Sequence, residues 1–282
     1  MGILLAIAAM ICWGTADFFA AKTGRSAGSF LTLFWSQITS LCIYIIIFLL
    51  FFQWPHLGTT DLIVFAIAGT LSVLAYAAFY KGLQIGIVAV ISPVSACWGI
   101  ITVILSFVFL NERVGNFQMA GIILAIMGAI LTSFRAEDLK KLKFKSYSKG
   151  LSYALFNMIG TGLVFVFLAL FVRKFGWFFP IFFIRAIGVA YLLLYVFATQ
   201  KKVSISKNIV LPVALIGLLE ALGCFAYDLS LAHQYTAISA PISAVYPMIT
   251  VILARIFFKE KLVFNQKVGV ISVFAGLVLL AI

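Results

Sequence analysis

Ten apolar runs of about 20 residues alternate with short polar connections along the chain. They cover residues 2–21, 30–52, 61–81, 87–110, 116–134, 150–172, 176–198, 209–231, 237–258 and 266–282. A helix of about 20 apolar residues crosses the hydrocarbon core of a bilayer, which is roughly 30 Å thick. The pattern therefore predicts an all-α integral membrane protein with ten transmembrane helices.

The second half of the chain repeats the first at an offset of 148 residues. Residues 91–114 align without a gap with residues 239–262, and ten of the 24 positions are identical, among them Pro93/Pro241 and Glu112/Glu260. We therefore predict a first five-helix repeat over residues 1–134, a basic linker over residues 135–149 and a second five-helix repeat over residues 150–282. Because five is odd, the second repeat enters the membrane from the opposite face, so the two repeats are expected to be inverted.

The composition excludes a water-soluble protein and indicates where the charges lie. The chain is 65% hydrophobic and only 10% charged, with a net charge of +12. The basic residues lie almost entirely in the polar connections, where they orient a membrane protein and contact anionic headgroups, so nucleic-acid binding is not expected. The connections that we assign to one face contain fifteen basic residues, against three (Arg113, Arg173 and Lys174) on the other. This count predicts a multi-pass protein of the cell membrane with residues 135–149 in the cytoplasm and both termini outside.

The sequence contains no motif for metal, cofactor or nucleotide chemistry. The four cysteines all fall inside apolar runs, and His56 and His233 stand apart from any ligand spacing. The phosphate-binding pattern GxxxxGK[ST] is absent, which disfavours transport driven by the chain's own ATP hydrolysis. We expect no metal and no cofactor, and a monomer whose partners are a small-molecule substrate and the lipid bilayer.

Several segments together resemble the EamA family of the drug/metabolite transporter superfamily. They are the WG pair at Trp13 and Gly14, the DFFAAKTGR stretch that begins at Asp17, the YKGLQIGIVAVISPVSA stretch that begins at Tyr80, and the LNER sequence that ends at Arg113. The resemblance implies a secondary transporter with a central cavity lined by helices of both halves and with the fifth and tenth helices at the periphery. It also implies that both termini lie in the cytoplasm, which is opposite to the charge count. Relatives are associated with amino acids, sugars and choline-like amines.

Few charged side chains lie inside the apolar runs, where each one is costly. Arg185 and Glu220 fall near the middle of consecutive runs at similar depth, so we predict that they pair, and Gln37 occupies the position equivalent to Arg185. Two interpretations remain open: a static pair that joins two helices, or a pair that faces the cavity and opens on substrate binding or on protonation of Glu220. Asp17 and Asp228 lie nearer the run ends and are further coupling candidates, with an interfacial anchor as the alternative for each.

Aromatic residues supply the remaining candidates for the binding site. The repeat aligns Trp98 with Tyr246, shortly after Pro93 and Pro241, which are predicted to break their helices. We expect these two rings to form opposite walls of one central site. The full predicted set of substrate-binding residues is Trp13, Gln37, Tyr76, Tyr80, Trp98, Arg185, Glu220, Tyr227 and Tyr246.

The predicted function is a secondary transporter, not an enzyme, that moves a small organic metabolite by alternating access. The substrate class is an amino acid, an amine or a sugar, and proton coupling is an open hypothesis. Two alternatives are an intramembrane lipid-modifying enzyme and a non-transporting scaffold or receptor. The first would need motifs such as DDxxD or HExxH, which are absent. The second would have no need of the mid-membrane charges Arg185 and Glu220.

Overall fold

A computed structural model describes residues 1–85, 91, 94–132, 150–258 and 263–281. The described residues form eleven helices: α1 (Gly2–Ala27), α2 (Ser29–Phe51), α3 (Thr59–Ile85), α4 (Trp98–Phe109), α5 (Asn116–Thr132), α6 (Leu151–Phe175), α7 (Phe179–Thr199), α8 (Lys207–His233), α9 (Thr236–Ala244), α10 (Tyr246–Phe258) and α11 (Phe264–Ala281). Eight helical segments are long and apolar enough to cross a membrane, and Val94–Phe109 and Asn116–Thr132 are shorter apolar helices. The all-α membrane fold predicted from the sequence is thus confirmed, with α9 and α10 together filling one run. The predicted basic linker 135–149 lies outside the described residues.

Helix boundaries recur at the offset of the sequence repeat. Adding 148 to the bounds of α3 gives the bounds of α8, and the same shift carries α1 to α6 and α5 to α11 within one residue. The turns recur as well, because Gly28 and its equivalent Gly176 connect equivalent helices with φ angles of 88° and 78°. Residues with a side chain rarely adopt such angles, so glycine is the natural residue at both turns. The duplication seen in the sequence is therefore also a duplication of local structure.

Contacts between the halves occur in exchanged pairs. The Thr102 hydroxyl on α4 donates to the carbonyl of Gly162 on α6 at 3.2 Å, and the equivalent Thr250 on α10 donates to the carbonyl of Gly14 on α1 at 2.8 Å. Each residue of the first bond corresponds to a residue of the second, with the halves swapped. Two copies related by a two-fold axis give this pattern.

The fifth and last helices, α5 and α11, pack closely against each other through glycine residues. A Cβ at Gly128 would lie 2.7 Å from the Gly269 carbonyl oxygen, and a Cβ at Gly121 would lie 2.8 Å from that of Gly276. Small residues allow two membrane helices to approach in this way. These helices do not line the central cavity described below, which agrees with the peripheral position implied by the resemblance.

The run that follows each repeated proline is broken at an equivalent point. At Cys97 and at Val245 the backbone N–H bonds to the carbonyl three residues earlier instead of four, at 3.2 Å and 3.3 Å. Pro241 lies inside α9, four residues before the break at Val245, and Pro93 lies outside the described residues. A new helix begins directly after each tighter turn, and Trp98 and Tyr246 are the first residues of α4 and α10.

Polar residues point inward and large apolar residues outward. Ser36, Ser40 and Thr102 are buried, whereas Leu49 and Phe197 are exposed by 73% and 77%. A surface of this kind is stable when its solvent is lipid. The chain is therefore a multi-pass membrane protein whose polar groups are held in its interior.

Candidate substrate-binding site

A central cavity lies between helices of both halves. Six of the nine predicted substrate-binding residues line it, together with the coupling candidate Asp17: Trp13, Tyr76, Tyr80, Trp98, Glu220 and Tyr246. These residues come from α1, α3, α4, α8 and α10. The structure thus gathers most of the predicted site in one place, while the role of each residue remains a prediction.

Aromatic rings form much of the cavity wall. Trp98 stacks on Phe165 with ring centroids 4.4 Å apart, and Trp13 meets Trp98 edge-on at 6.2 Å. Tyr246 lines the same cavity and is half-buried. Trp98 and Tyr246, the two repeat-equivalent rings, therefore face one shared space.

Asp17 places a carboxylate in this aromatic wall. It lies on α1, one turn beyond Trp13, and it is half-buried instead of exposed at a headgroup interface. Within the described part of the chain, its carboxylate has no hydrogen-bond or ion-pair partner. Of the two acids that line the cavity, Glu220 therefore has a basic partner among the described residues and Asp17 has none.

Arg185 and Glu220 pair in the interior, as the sequence predicted. Arg185 Nη1 lies 3.2 Å from Glu220 Oε2, and the two side chains are only 5% and 10% exposed. Gln37 bridges them, because its Nε2 donates to Glu220 Oε2 at 2.7 Å and its Oε1 accepts from Arg185 Nη1. Gln37 and Arg185 are repeat-equivalent residues, so equivalent positions of the two halves are in direct contact.

The Arg185 guanidinium makes three side-chain hydrogen bonds. Besides Gln37 and Glu220, it has Cys224 Sγ within 3.7 Å of Nη2 and lies 5.9 Å from the centre of the Tyr44 ring. Gln37 and Arg185 line a second cavity, which shares Tyr76, Thr161 and Phe165 with the first. A positive charge held in this way balances Glu220 and leaves Asp17 as the unbalanced charge of the site.

Two predicted residues lie behind the cavity wall. Tyr227 is fully buried, with its ring 5.5 Å from Trp13 and 4.8 Å from Phe165. Asp228, the remaining coupling candidate, is also fully buried. Neither lines the two cavities described above.

The cavity lies toward one face of the molecule, and ion pairs and hydrogen bonds join the described helices at the other face. Tyr80 lies 21 residues after Thr59 on α3, or about 30 Å along the helix. Near the start of α3, Asp61 binds Lys174 at 2.5 Å. On that same face, the Glu112 carboxylate accepts the backbone N–H groups of Thr236 and Ala237 at 2.9 Å and 2.8 Å and pairs with Arg173. Glu112 thus ties the loop after α4 to the first turn of α9 and to the end of α6.

Sequence reasoning missed several contributors. Thr161 and Phe165 on α6 line the cavity, and the repeat pairs them with Trp13 and Asp17, so the alignment contained a signal for both. Asn157 also lines the cavity, and its Nδ2 donates to the Ala75 carbonyl at 2.9 Å. The matched acid Glu112 marked the repeat, but its capping role requires a tertiary contact that spacing does not reveal.

Comparison with known proteins identifies the family and the fold. A sequence model of the EamA-like transporter family matches residues 1–134 and again residues 148–282. No curated protein matches the chain. One solved crystal structure, described only as that of a protein, superposes with a TM-score of 0.80 at 16% identity, over 99% of this chain and 95% of the other. At that identity the likeness concerns the fold alone.

Proposed function

The chain belongs to the EamA-like transporter family and is a membrane transporter, and from that premise we propose that it moves a small organic amine by alternating access. The family consists of transporters, so the interpretation as an intramembrane enzyme is set aside. Both halves of the cavity come from one chain, and the proposal needs no second copy.

The observation that carries the proposal is the unbalanced Asp17 carboxylate in a wall of aromatic rings. A carboxylate attracts a cation strongly where little water screens it, and ring faces attract the same charge. Trp13, Trp98 and Tyr246 supply the rings beside Asp17. An ammonium group is the ligand that this combination favours.

The other substrate classes fit the cavity less well. An amino acid would need a cationic group for its carboxylate, and the Arg185 guanidinium is occupied by Gln37 and Glu220. A sugar carries no charge, so it supplies no countercharge for the Asp17 carboxylate. The amine is thus the best supported of the amino acid, amine and sugar classes.

Asp17 also offers a route to energy coupling. An empty carboxylate in this setting is stabilised by a proton, and a bound cation replaces that proton, so one site can hold only one of them. Glu220 is held by two donors and is the second coupling candidate. We propose proton–amine exchange, with Asp17 as the exchanging group.

The direction of the cavity follows from the charge count. The cavity lies toward the face that carries Lys22 and Lys81, which the count assigns to the cytoplasm. The face closed by Glu112 and Arg173 would then be outside, together with both termini. Labelling of a cysteine introduced at Gly58 by an impermeant reagent in intact cells tests this orientation, and labelling only from the cytoplasmic side would reverse it.

Thermal stability of the purified protein tests the substrate class. The probe is a matched pair: a quaternary ammonium alcohol and its uncharged tert-butyl isostere, which have nearly the same shape. A ligand at 100 times its Kd stabilises the folded state by about 2.7 kcal/mol. We expect the amine to raise the Tm of the unmodified chain and to leave Asp17→Asn unshifted. Equal shifts from both probes would contradict the assignment.

A further inference from the structure

Asp228 is a buried acid to which the described residues donate no hydrogen bond. It is 0% exposed, and within the described part of the chain neither carboxylate oxygen has a hydrogen-bond partner. The other buried acids differ, because Asp61, Glu112 and Glu220 each bind a basic side chain. Burying an acidic group without a partner in a membrane protein costs free energy. The conformation seen here therefore gives Asp228 no stabilising role.

The repeat pairs this acid with a residue that lines the cavity. Asp228 is equivalent to Tyr80, and the preceding Tyr227 is equivalent to Phe79. Tyr80 and Phe79 line the central cavity, whereas Tyr227 and Asp228 are fully buried toward the opposite face. Equivalent residues of the two halves thus occupy an open position on one face and a closed position on the other.

The closed position is held by contacts that can be released. The Tyr227 ring packs against Trp13 and Phe165. Beyond it, the Glu112 carboxylate caps α9 and pairs with Arg173, whose side chain is 44% exposed. An ion pair with one exposed partner contributes little by itself, so the two backbone bonds of Glu112 carry most of this contact.

We propose that Asp228 is a second substrate-binding residue, which contacts the amine when the face closed by Glu112 opens. Loss of the hydrogen bonds from α9 to Glu112 allows α9 to move. Tyr227 and Asp228 then line a cavity on their own face, as Phe79 and Tyr80 do on the other. The inference rests on the proposed function, since it takes the transported amine as the partner of Asp228. It also explains why an acid stands where the first half has a tyrosine: the cation meets a carboxylate on each face.

Thiol labelling measures the opening without any substrate. In a chain whose native cysteines are serines, Asp228→Cys and Tyr80→Cys are each treated with a trimethylammonium methanethiosulfonate in detergent, with and without Glu112→Gln. We expect Glu112→Gln to increase the labelling rate at position 228 by about tenfold, because the loss of one helix cap shifts an equilibrium by about that factor. The labelling rate at position 80 should fall. Ile216→Cys, also fully buried on α8 but about three turns away from the face that opens, is the matched control and should stay unlabelled.

A labelling rate at position 228 that stays at the level of position 216 would overturn the proposal, and so would an equal rise at positions 228 and 216. If Asp228→Cys does not fold, hydrogen exchange of residues 224–233 in the chain that keeps Asp228 measures the same opening. Faster exchange in Glu112→Gln supports the proposal, and unchanged exchange contradicts it.

Substrate contact is tested by separating binding from turnover. Asp228→Asn should leave binding of the quaternary ammonium alcohol within about twofold, because Asp228 lies away from the open cavity, and should slow uptake by at least about tenfold. Normal uptake would refute the role of Asp228. If the unmodified chain binds no amine, the proposed function fails, yet the labelling result still decides whether this face opens.

Discussion

The two faces of this transporter contain equivalent residues in opposite states. On one face Phe79 and Tyr80 line an open cavity, and on the other Tyr227 and Asp228 are packed away. Both faces meet at Gln37 and Arg185, which are equivalent to each other and in direct contact. The comparison teaches that equivalent segments of the two halves can have different environments in one structure: one segment lines a cavity and the other is buried.

Removal of Glu220 from its cluster with Gln37 and Arg185 should have the largest effect on the free energy of unfolding. Glu220→Ala leaves the Arg185 guanidinium buried beside Gln37 without its countercharge, which costs about 3–5 kcal/mol of unfolding free energy. Glu220→Gln keeps a hydrogen-bond acceptor and should cost clearly less. Thermal unfolding in detergent measures both variants, and equal stability of Glu220→Ala and the unmodified protein would show that the Arg185–Glu220 pair does not stabilise the fold.

Removing the unbalanced charge should abolish the preference for cations on the open face. Asp17→Asn is nearly isosteric, so folding is retained, while amine affinity falls by about 100-fold, or about 3 kcal/mol. Isothermal titration with the quaternary ammonium alcohol gives the Kd. Undiminished affinity would move the cation site away from Asp17.

A part of this picture follows from the sequence and a part does not. Ten helices, the duplication and the Arg185–Glu220 pair could be predicted from the sequence. The length of each apolar run, the offset between the two repeats and the position of a residue along its helix can all be counted along the chain. The sequence could not predict that Tyr80 lines a cavity while Asp228 is buried, since equivalent positions lie in the same hydrophobic pattern in either environment. The capping by Glu112 also depends on a contact 124 residues away along the chain.

The contact between the peripheral helices α5 and α11 tests whether the two halves pack against each other as one unit. Gly128→Leu places a side chain where a Cβ already lies 2.7 Å from the Gly269 carbonyl oxygen, and overpacking of this kind costs about 1–3 kcal/mol. Val278→Leu, on the exposed side of α11, is the control. We expect a lower Tm for Gly128→Leu alone, and similar Tm values for the two variants would contradict the close contact.

The smallest effect is expected from a single ring of the cavity. Tyr246→Leu removes one aromatic face and one hydroxyl, so amine affinity should fall by about 5-fold, or about 1 kcal/mol. Tyr235→Leu, an exposed tyrosine outside the cavity, should leave the affinity unchanged. The same titration measures both, and a matching loss in the control would show a general effect on the protein.

Uptake into vesicles tests most directly whether the cavity selects a cation through Asp17. Vesicles that contain the purified protein are given a radiolabelled quaternary ammonium alcohol under a proton gradient, with an excess of either the unlabelled amine or its uncharged isostere. We predict uptake that the unlabelled amine suppresses, that the isostere leaves unchanged, and that Asp17→Asn lacks. Suppression by the isostere, or full uptake by Asp17→Asn, would contradict cation selection at this site.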